Sequence, residues 1–552
     1  MIVANRSRIP VLKGIWFYAL ALVMVAVLAS CGRQPGYTLV APETKVLEID
    51  GRFIAGVEAP TPYARALPPN RRVWLWVGNR ESGARTVRVH GAQPAVLNLP
   101  ARSWSRHELS VTEPAATFAW EGEPLWFGEP FVLPEGTTDR PNVLLISIDT
   151  LRYDLFDSEH MPRLAASFAL NGRLFERAYT TAPWTLPAHA SMLTGLSPVK
   201  HGVRLPQQLL SDDAVTLAET MRDAGYYAMA FTEGNYVSGR YGLSQGFHDF
   251  VEDPPRMMEK DPEAISRLAP NMARLDRALV DSDQAPLFVF LHTYEVHCPY
   301  LPRDGRSDPE GIGMTGWLLE HEFDPPTPAQ IDLLRDLYEG ELAYTDGLIG
   351  PLVERLLARG DWTILLTSDH GEEFGEHGGL LHADTLYEEV MHVPFALAGA
   401  GIEPAPPSTD LVSILDIPPT IAAITKTPPR DDWEGRNLLS SEPSGATPTP
   451  HFGETFFLGP HVPAEDPRLV AVWQGQDKLI QSRKGETYGA ELFRLDLDPL
   501  ERQNRAESEL QRRDALFLFM QAYLEGRGLD AGDVGELTPE QLEVMRSLGY
   551  AE

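Results

Sequence analysis

Cysteine is almost missing from this chain: Cys31 and Cys298 are the two in 552 residues. No disulfide framework can therefore hold the fold, and a thiolate-rich metal site is excluded. Basic residues are scarce too, with 47 Lys and Arg against 78 Asp and Glu and a formal net charge of −31. An acidic body is repelled by nucleic acid and by anionic membrane surfaces, which argues against both as partners. An anionic substrate would then need local positive charge, from a bound cation or from helix N-termini. Past residue 30 no apolar run is long enough to cross a membrane. No internal repeat is visible.

What is present is ordinary for a folded protein of two or three domains: 43% hydrophobic and 23% charged residues. The first thirty residues read as a targeting segment. Arg6, Arg8 and Lys13 form a basic start, and Ile15 to Ala29 is an apolar stretch of signal-peptide length. It ends in Leu28-Ala29-Ser30-Cys31, which resembles a bacterial lipobox. The expectation is cleavage before Cys31 and a lipid on its thiol, which anchors the body to a membrane in the cell envelope, facing the periplasm or the exterior. An uncleaved single-pass anchor is the alternative. Membrane contact is thus expected through one lipidated residue and not through the acidic body.

Residues 31–138 read as a tether followed by a β-rich domain, with period-2 apolar runs such as "RRVWLWVGNR" broken by Gly and Pro. Its Trp74, Trp76, Trp104, Trp120 and Trp126 suit a domain core better than a sugar platform. From 139 to 450 apolar strand runs alternate with helical patterns, which predicts an α/β domain with a mixed, largely parallel sheet. Within it, the Pro-, Ser- and Thr-rich stretch 404–450 reads as a surface meander. Residues 451–552 form a small C-terminal subdomain of strand and helix.

Chemistry gathers where three strand patterns end. "NVLLISID" stops at Asp149, "WTILLTSDHG" delivers Asp369 and His370, and "LFVFLHTYEVHCPY" carries His292 and His297. In open α/β sheets the carboxyl ends of neighbouring strands share one crevice. Asp149, Asp369 and His370 at that edge suggest one divalent cation, oxygen-rich in its ligands: Ca²⁺ first, with Mn²⁺, Mg²⁺ or Zn²⁺ also compatible. "TAPWTLPAHASMLTG" adds a helix start, with Thr185 in the N-cap position and Pro187 in the first turn. A hydroxyl there, beside a cation and a helix dipole, is aimed at a tetrahedral anion.

Taken together, six ordered stretches from Asn142 to about residue 510 resemble the sulfatase family of the alkaline phosphatase superfamily. "PNVLLISIDTLRYD" is similar to the family's first metal strand, and "TLPAHASMLTG" stands in place of its Cys/Ser-x-Pro-x-Arg signature. "LHTYEVHCPY" resembles its histidine loop, and "TSDHGEEFGEHG" with "HADTLYEEVMHVPF" its second metal motif and the segment after it. "ELFRLDLDPLERQN" resembles its C-terminal run. The resemblance implies an alkaline-phosphatase-like α/β/α sandwich. It implies Asp149, Asp369 and His370 as metal residues, Thr185 as nucleophile, and His297 and His382 at the ester. The substrate class it implies is an anionic ester, including sulfated glycans.

The departures bear on mechanism. Thr185 cannot become the aldehyde that sulfatases make from Cys or Ser, since its oxidation would give a ketone. His189 replaces the signature arginine, Thr150 the usual second aspartate, and the lysine before "LYEE" is missing. His189 is expected to assist the hydroxyl as base or to bind the anion as imidazolium. Phosphorus esters thereby stand beside sulfate esters as substrates. A phosphodiesterase or phospho-alcohol transferase acting on envelope glycans or lipids, and a non-catalytic glycan-binding homologue, are the other readings.

Overall fold

The computed structural model describes residues 45–136, 139–255, 265–314, 317–318, 326–440, 449–456, 468–484 and 487–525. The targeting segment and Cys31 lie outside the described residues.

Three strands form the centre: Asn142–Ile148, Leu287–Thr293 and Trp362–Thr367. All run parallel, with Asn142–Ile148 in the middle. Each reads as a nearly unbroken apolar run because both its faces are covered. Leu144, Ile146 and Ile148 point into one core with helices Pro162–Asn171 and Pro328–Arg359. Val143 and Leu145 point into the other core, against helix Thr185–Thr194. Outward from Leu287–Thr293, the parallel strands Tyr227–Thr232 and Asp249–Glu252 follow. On the other side lie Phe395–Gly399, Gly172–Tyr179 and Ser408–Ser413, the first of them antiparallel to both of its neighbours. This is the mixed, largely parallel sheet between helical layers that the sequence pattern implies.

The N-terminal strands do not stand apart from it. Strand Arg52–Ala59 pairs antiparallel with Asp249–Glu252, so one sheet of fifteen strands runs from the α/β body into the N-terminal region. A second sheet of four strands closes over it around Val73, Leu75, Val77, Phe118 and Phe127. All five tryptophans of this region are at least nine-tenths buried, as expected of core residues.

Part of the expected meander is regular: Ser408–Ser413 is a strand of the main sheet and Ile417–Thr425 a helix. The C-terminal subdomain is a four-stranded antiparallel sheet packed on helix Leu510–Leu524. Lys478, fully buried in that sheet, reaches back to the α/β body. Its ammonium lies 3.0 Å from Glu388 and 2.8 Å from Glu501.

Candidate active site

The parallel strands deliver Asp149, one residue past the end of its strand, and Asp369 and His370, two and three past theirs, to the same edge. One ligand atom from each of the three lies within 4.8 Å of the others, and all three side chains are fully buried. His370 donates from Nδ1 to the Gly371 carbonyl at 2.9 Å, which leaves Nε2 with a lone pair. That lone pair sits 3.3 Å from Asp369 Oδ2 and 3.9 Å from Asp149 Oδ1. Neither carboxylate oxygen has a hydrogen-bond partner. Three electron-rich atoms converging in a dry site repel one another unless a cation lies between them. The donor set fits a divalent metal held by two carboxylates and an imidazole.

Electrostatics repeat the point. Burial and the facing charge of Asp369 push the Asp149 carboxyl well above the usual range. Burial also pulls Asp369 upward, but His370, His189 and His292 beside it hold it at about 2. The pair thus divides its affinity for a proton as two close carboxylates at one site do.

Thr185 is the first residue of its helix, and Trp184 supplies the N-cap with no side-chain bond. This corrects the expected cap by one position, and the threonine hydroxyl is left unspent on capping. It is 3.5 Å from His370 Nε2, and its hydroxyl lowers the affinity of the Asp149 carboxyl for a proton. The side chain is 3% exposed. Pro187 in the first turn carries no N–H, so Thr185 and Leu186 supply the first amides of the helix mouth.

His297 donates from Nδ1 to the Cys298 carbonyl at 2.6 Å, and His382 from Nδ1 to Glu372 at 2.8 Å. Their rings lie 5.0 Å apart, and His382 is 4.3 Å from His370. Burial lowers both to about 4, so each is neutral with Nε2 as acceptor. Glu372, buried, also accepts from the Tyr300 hydroxyl at 2.6 Å.

His189 is placed differently from the expectation. It donates from Nδ1 to the carbonyl of Thr185 at 2.9 Å, not to the hydroxyl, and accepts at Nε2 from Ser147 at 3.0 Å. Asp369 Oδ2 is 3.5 Å from Nδ1. Burial lowers its affinity for a proton, so the ring is a neutral brace beneath the site and not an imidazolium facing an anion. A histidine can fill this slot where an arginine would leave a buried charge to satisfy.

Sequence reasoning passed over several neighbours. His292 holds Asp149 Oδ2 at 3.4 Å from Nε2, and Ser368 accepts from the Leu151 amide at 3.0 Å. Thr150, in place of the usual second aspartate, turns its hydroxyl back to the Asp149 carbonyl at 2.7 Å. It adopts φ +57°, which lets its amide reach toward Asp369. The strand-end spacing of His292 and the Ser-Asp-His run were visible signals; the left-handed turn at Thr150 was not. His377 lies on Glu389 and the Glu501 carbonyl, a link to the C-terminal subdomain.

Comparison with known proteins gives the family and the fold. A family model described as Sulfatase matches residues 141–427. Choline-sulfatase of Rhizobium meliloti (strain 1021) is 26% identical over 438 residues, covering 67% of this chain and 83% of that protein. Among solved structures, phosphonate monoester hydrolase SpPMH from Silicibacter pomeroyi superposes with a TM-score of 0.57 at 19% identity, over 70% of this chain and 95% of that one. A structure determined in complex with D-glucosamine-2-N,6-O-disulfate gives 0.53 at 15%, over 70% and 97%.

Proposed function

Since the chain belongs to the sulfatase family, we propose that it hydrolyses an anionic ester, with Thr185 as nucleophile and one divalent cation held by Asp149, Asp369 and His370. One observation carries this reading: the Thr185 hydroxyl, not used as a helix cap, sits beside Asp149 and His370 at the site where three lone pairs converge. A bound cation supplies Lewis acidity at this point and neutralises the substrate anion. The chain does the rest. The helix mouth presents the Thr185 and Leu186 amides to the anion. Thr185 attacks sulfur or phosphorus in line and forms a threonine ester; the bond to the ester oxygen breaks, and the proton given up by the Thr185 hydroxyl leaves on the departing alcohol. His297 and His382, neutral with free Nε2 atoms, are fitted to take a proton from the water that then cleaves the threonine ester. Glu372 fixes the His382 ring, and His189 holds the Thr185 backbone.

Sulfate esters come first by family, and the sulfated sugar in a similar structure makes sulfated glycans the leading substrate class. Phosphorus esters are the second reading. A threonine ester cannot release its group by collapse of an aldehyde hydrate and must be cleaved by direct attack, and the likeness to a phosphonate monoester hydrolase points the same way. Transfer to another alcohol is disfavoured: phospho-alcohol transferases of this kind usually carry several membrane helices, and among the described residues no helix is long and apolar enough to cross a membrane. Anchorage through a lipid on Cys31 belongs to the same proposal, and the mass of the protein isolated from cells tests it.

The test is protein stripped of metal, reloaded with Ca²⁺, Mg²⁺, Mn²⁺ or Zn²⁺, and assayed on aryl sulfate, aryl phosphate, bis-aryl phosphate and aryl phosphonate esters. Turnover of one class is expected, dependent on metal and lowered by about 10³-fold or more in Thr185→Ala. Equal turnover by wild type and variant would overturn the assignment.

A further inference from the structure

A second recess lies where the N-terminal sheet meets the α/β body. It is a cleft of about 900 Å³, a size suited to a ligand several groups long. Strand Asp249–Glu252 forms one wall, helix Leu268–Asp281 another, and the strands carrying Trp74, Trp76 and Trp104 a third. None of the residues assigned to the catalytic site borders it.

Its donors and acceptors are held in place before any ligand arrives. Arg52 stacks on Trp76 with its guanidinium 4.5 Å from the ring centre and bonds Asp249 Oδ2 at 2.9 Å. Arg106 stacks on Trp74 at 4.3 Å and bonds Ser282 and the Asp281 carbonyl. Two groups in the walls have no partner: Asp249 Oδ1 and the indole N–H of Trp104, on residues 4% and 8% exposed. One is an acceptor and the other a donor, and each atom is itself shielded from solvent.

The charge balance selects the ligand. Six carboxylates line the cleft against four arginines, and Arg52 and Arg274 are already paired with Asp249 and Asp253. A polyanion finds little free charge here. Hydroxyl groups both donate and accept, and suit a wall in which fixed guanidinium and carboxylate groups alternate.

We propose that this cleft is a saccharide-binding subsite, which grips uncharged residues of a glycan whose ester is processed at Thr185. The choice of a glycan rests on the proposed function. Three strand spacings, about 15 Å at 4.8 Å per strand, separate Asp249–Glu252 sideways from the strand that ends at Asp149, and Asp249 stands level with Leu144, a further distance of roughly 16 Å along that strand from Asp149. An oligosaccharide of several residues spans that distance.

The test uses the whole chain and neutral hexasaccharides (cello-, xylo-, chito- and agarohexaose), which carry no ester to engage the catalytic residues, with binding read by calorimetry. At least one hexaose binds, with equal Kd for wild type and Thr185→Ala. Asp249→Asn and Arg277→Ala each raise that Kd about tenfold or more. Arg277 lies on the exposed side of its helix, so its loss leaves the fold intact, and Arg277→Ala keeps wild-type turnover of a small aryl ester. Absence of binding by every hexaose, or an unchanged Kd in both variants, overturns the subsite. Binding that persists when no ester of any class is turned over upholds the subsite and overturns the catalytic reading instead.

Discussion

Thr150 shows how much backbone the site commits to a single direction. A β-branched residue at φ +57° is strained, and it is held there because its amide turns toward Asp369 and its carbonyl accepts from Tyr338 at 2.8 Å. Thr150→Gly is therefore expected to be more stable than Thr150→Ala by about 1–2 kcal/mol, since glycine alone pays no Cβ penalty there. Denaturant unfolding of the two variants checks this; equal midpoints would mean that the turn is not strained. Two histidines make a second test at this scale. His201 and His248 are buried, each accepting a backbone amide at Nδ1, and burial lowers both to about 3. As pH falls the unfolded chain, titrating near 6.5, takes up protons first. The stability from these groups is complete above about pH 6.5 and drains away towards pH 3. His201→Gln and His248→Gln should each flatten the fall in stability between pH 6.5 and 4.5. Slopes identical to wild type would refute the sign.

At the level of elements, the carboxyl edge of the sheet was legible from sequence because buried parallel strands leave an uninterrupted apolar signal. Where such a run stops at Asp149, or just short of Asp369-His370, the polar side chains emerge at the sheet edge. Thr185 was legible as a helix start, though one residue off as a cap, because Ser, Thr, Asp and Asn bias an N-cap assignment whereas Trp184 fills that position on tertiary grounds. The orientation of His189 was not legible. A position in a motif names a residue type, and which ring nitrogen meets which carbonyl depends on Ser147 from a strand distant in sequence. Nor was the joining of N-terminal strands to the main sheet, since an edge pairing such as Phe250 with Phe53 leaves no local mark. Gly371 tests how tightly the elements converge. A Cβ there would lie 2.1 Å from the Glu389 carbonyl oxygen, in the segment to which the Gly371 and Glu372 amides are bonded. Gly371→Ala should cost about 2–3 kcal/mol and weaken metal binding. Unchanged melting and unchanged metal affinity would show that the approach is looser than it stands here.

Across the whole molecule, one sheet of fifteen strands crosses the boundary that composition suggested near residue 138. Trp74, Phe131 and Leu133 from the N-terminal side pack in the same core as Leu144 and Tyr227 of the body. Residues 45–525 should therefore unfold in one transition, with heat and denaturant probes coinciding. Two separated transitions would show that the N-terminal strands form an independent domain. The claim on which the account depends is that the Thr185 oxygen itself takes the transferred group. The direct measurement is mass spectrometry of metal-loaded protein quenched during turnover of the preferred aryl ester. The expected result is a sulfated or phosphorylated peptide with the modification on Thr185, missing from Thr185→Ala and from metal-free protein. Rapid turnover with no modified Thr185 at any quench time, and no loss of rate in Thr185→Ala, would contradict it.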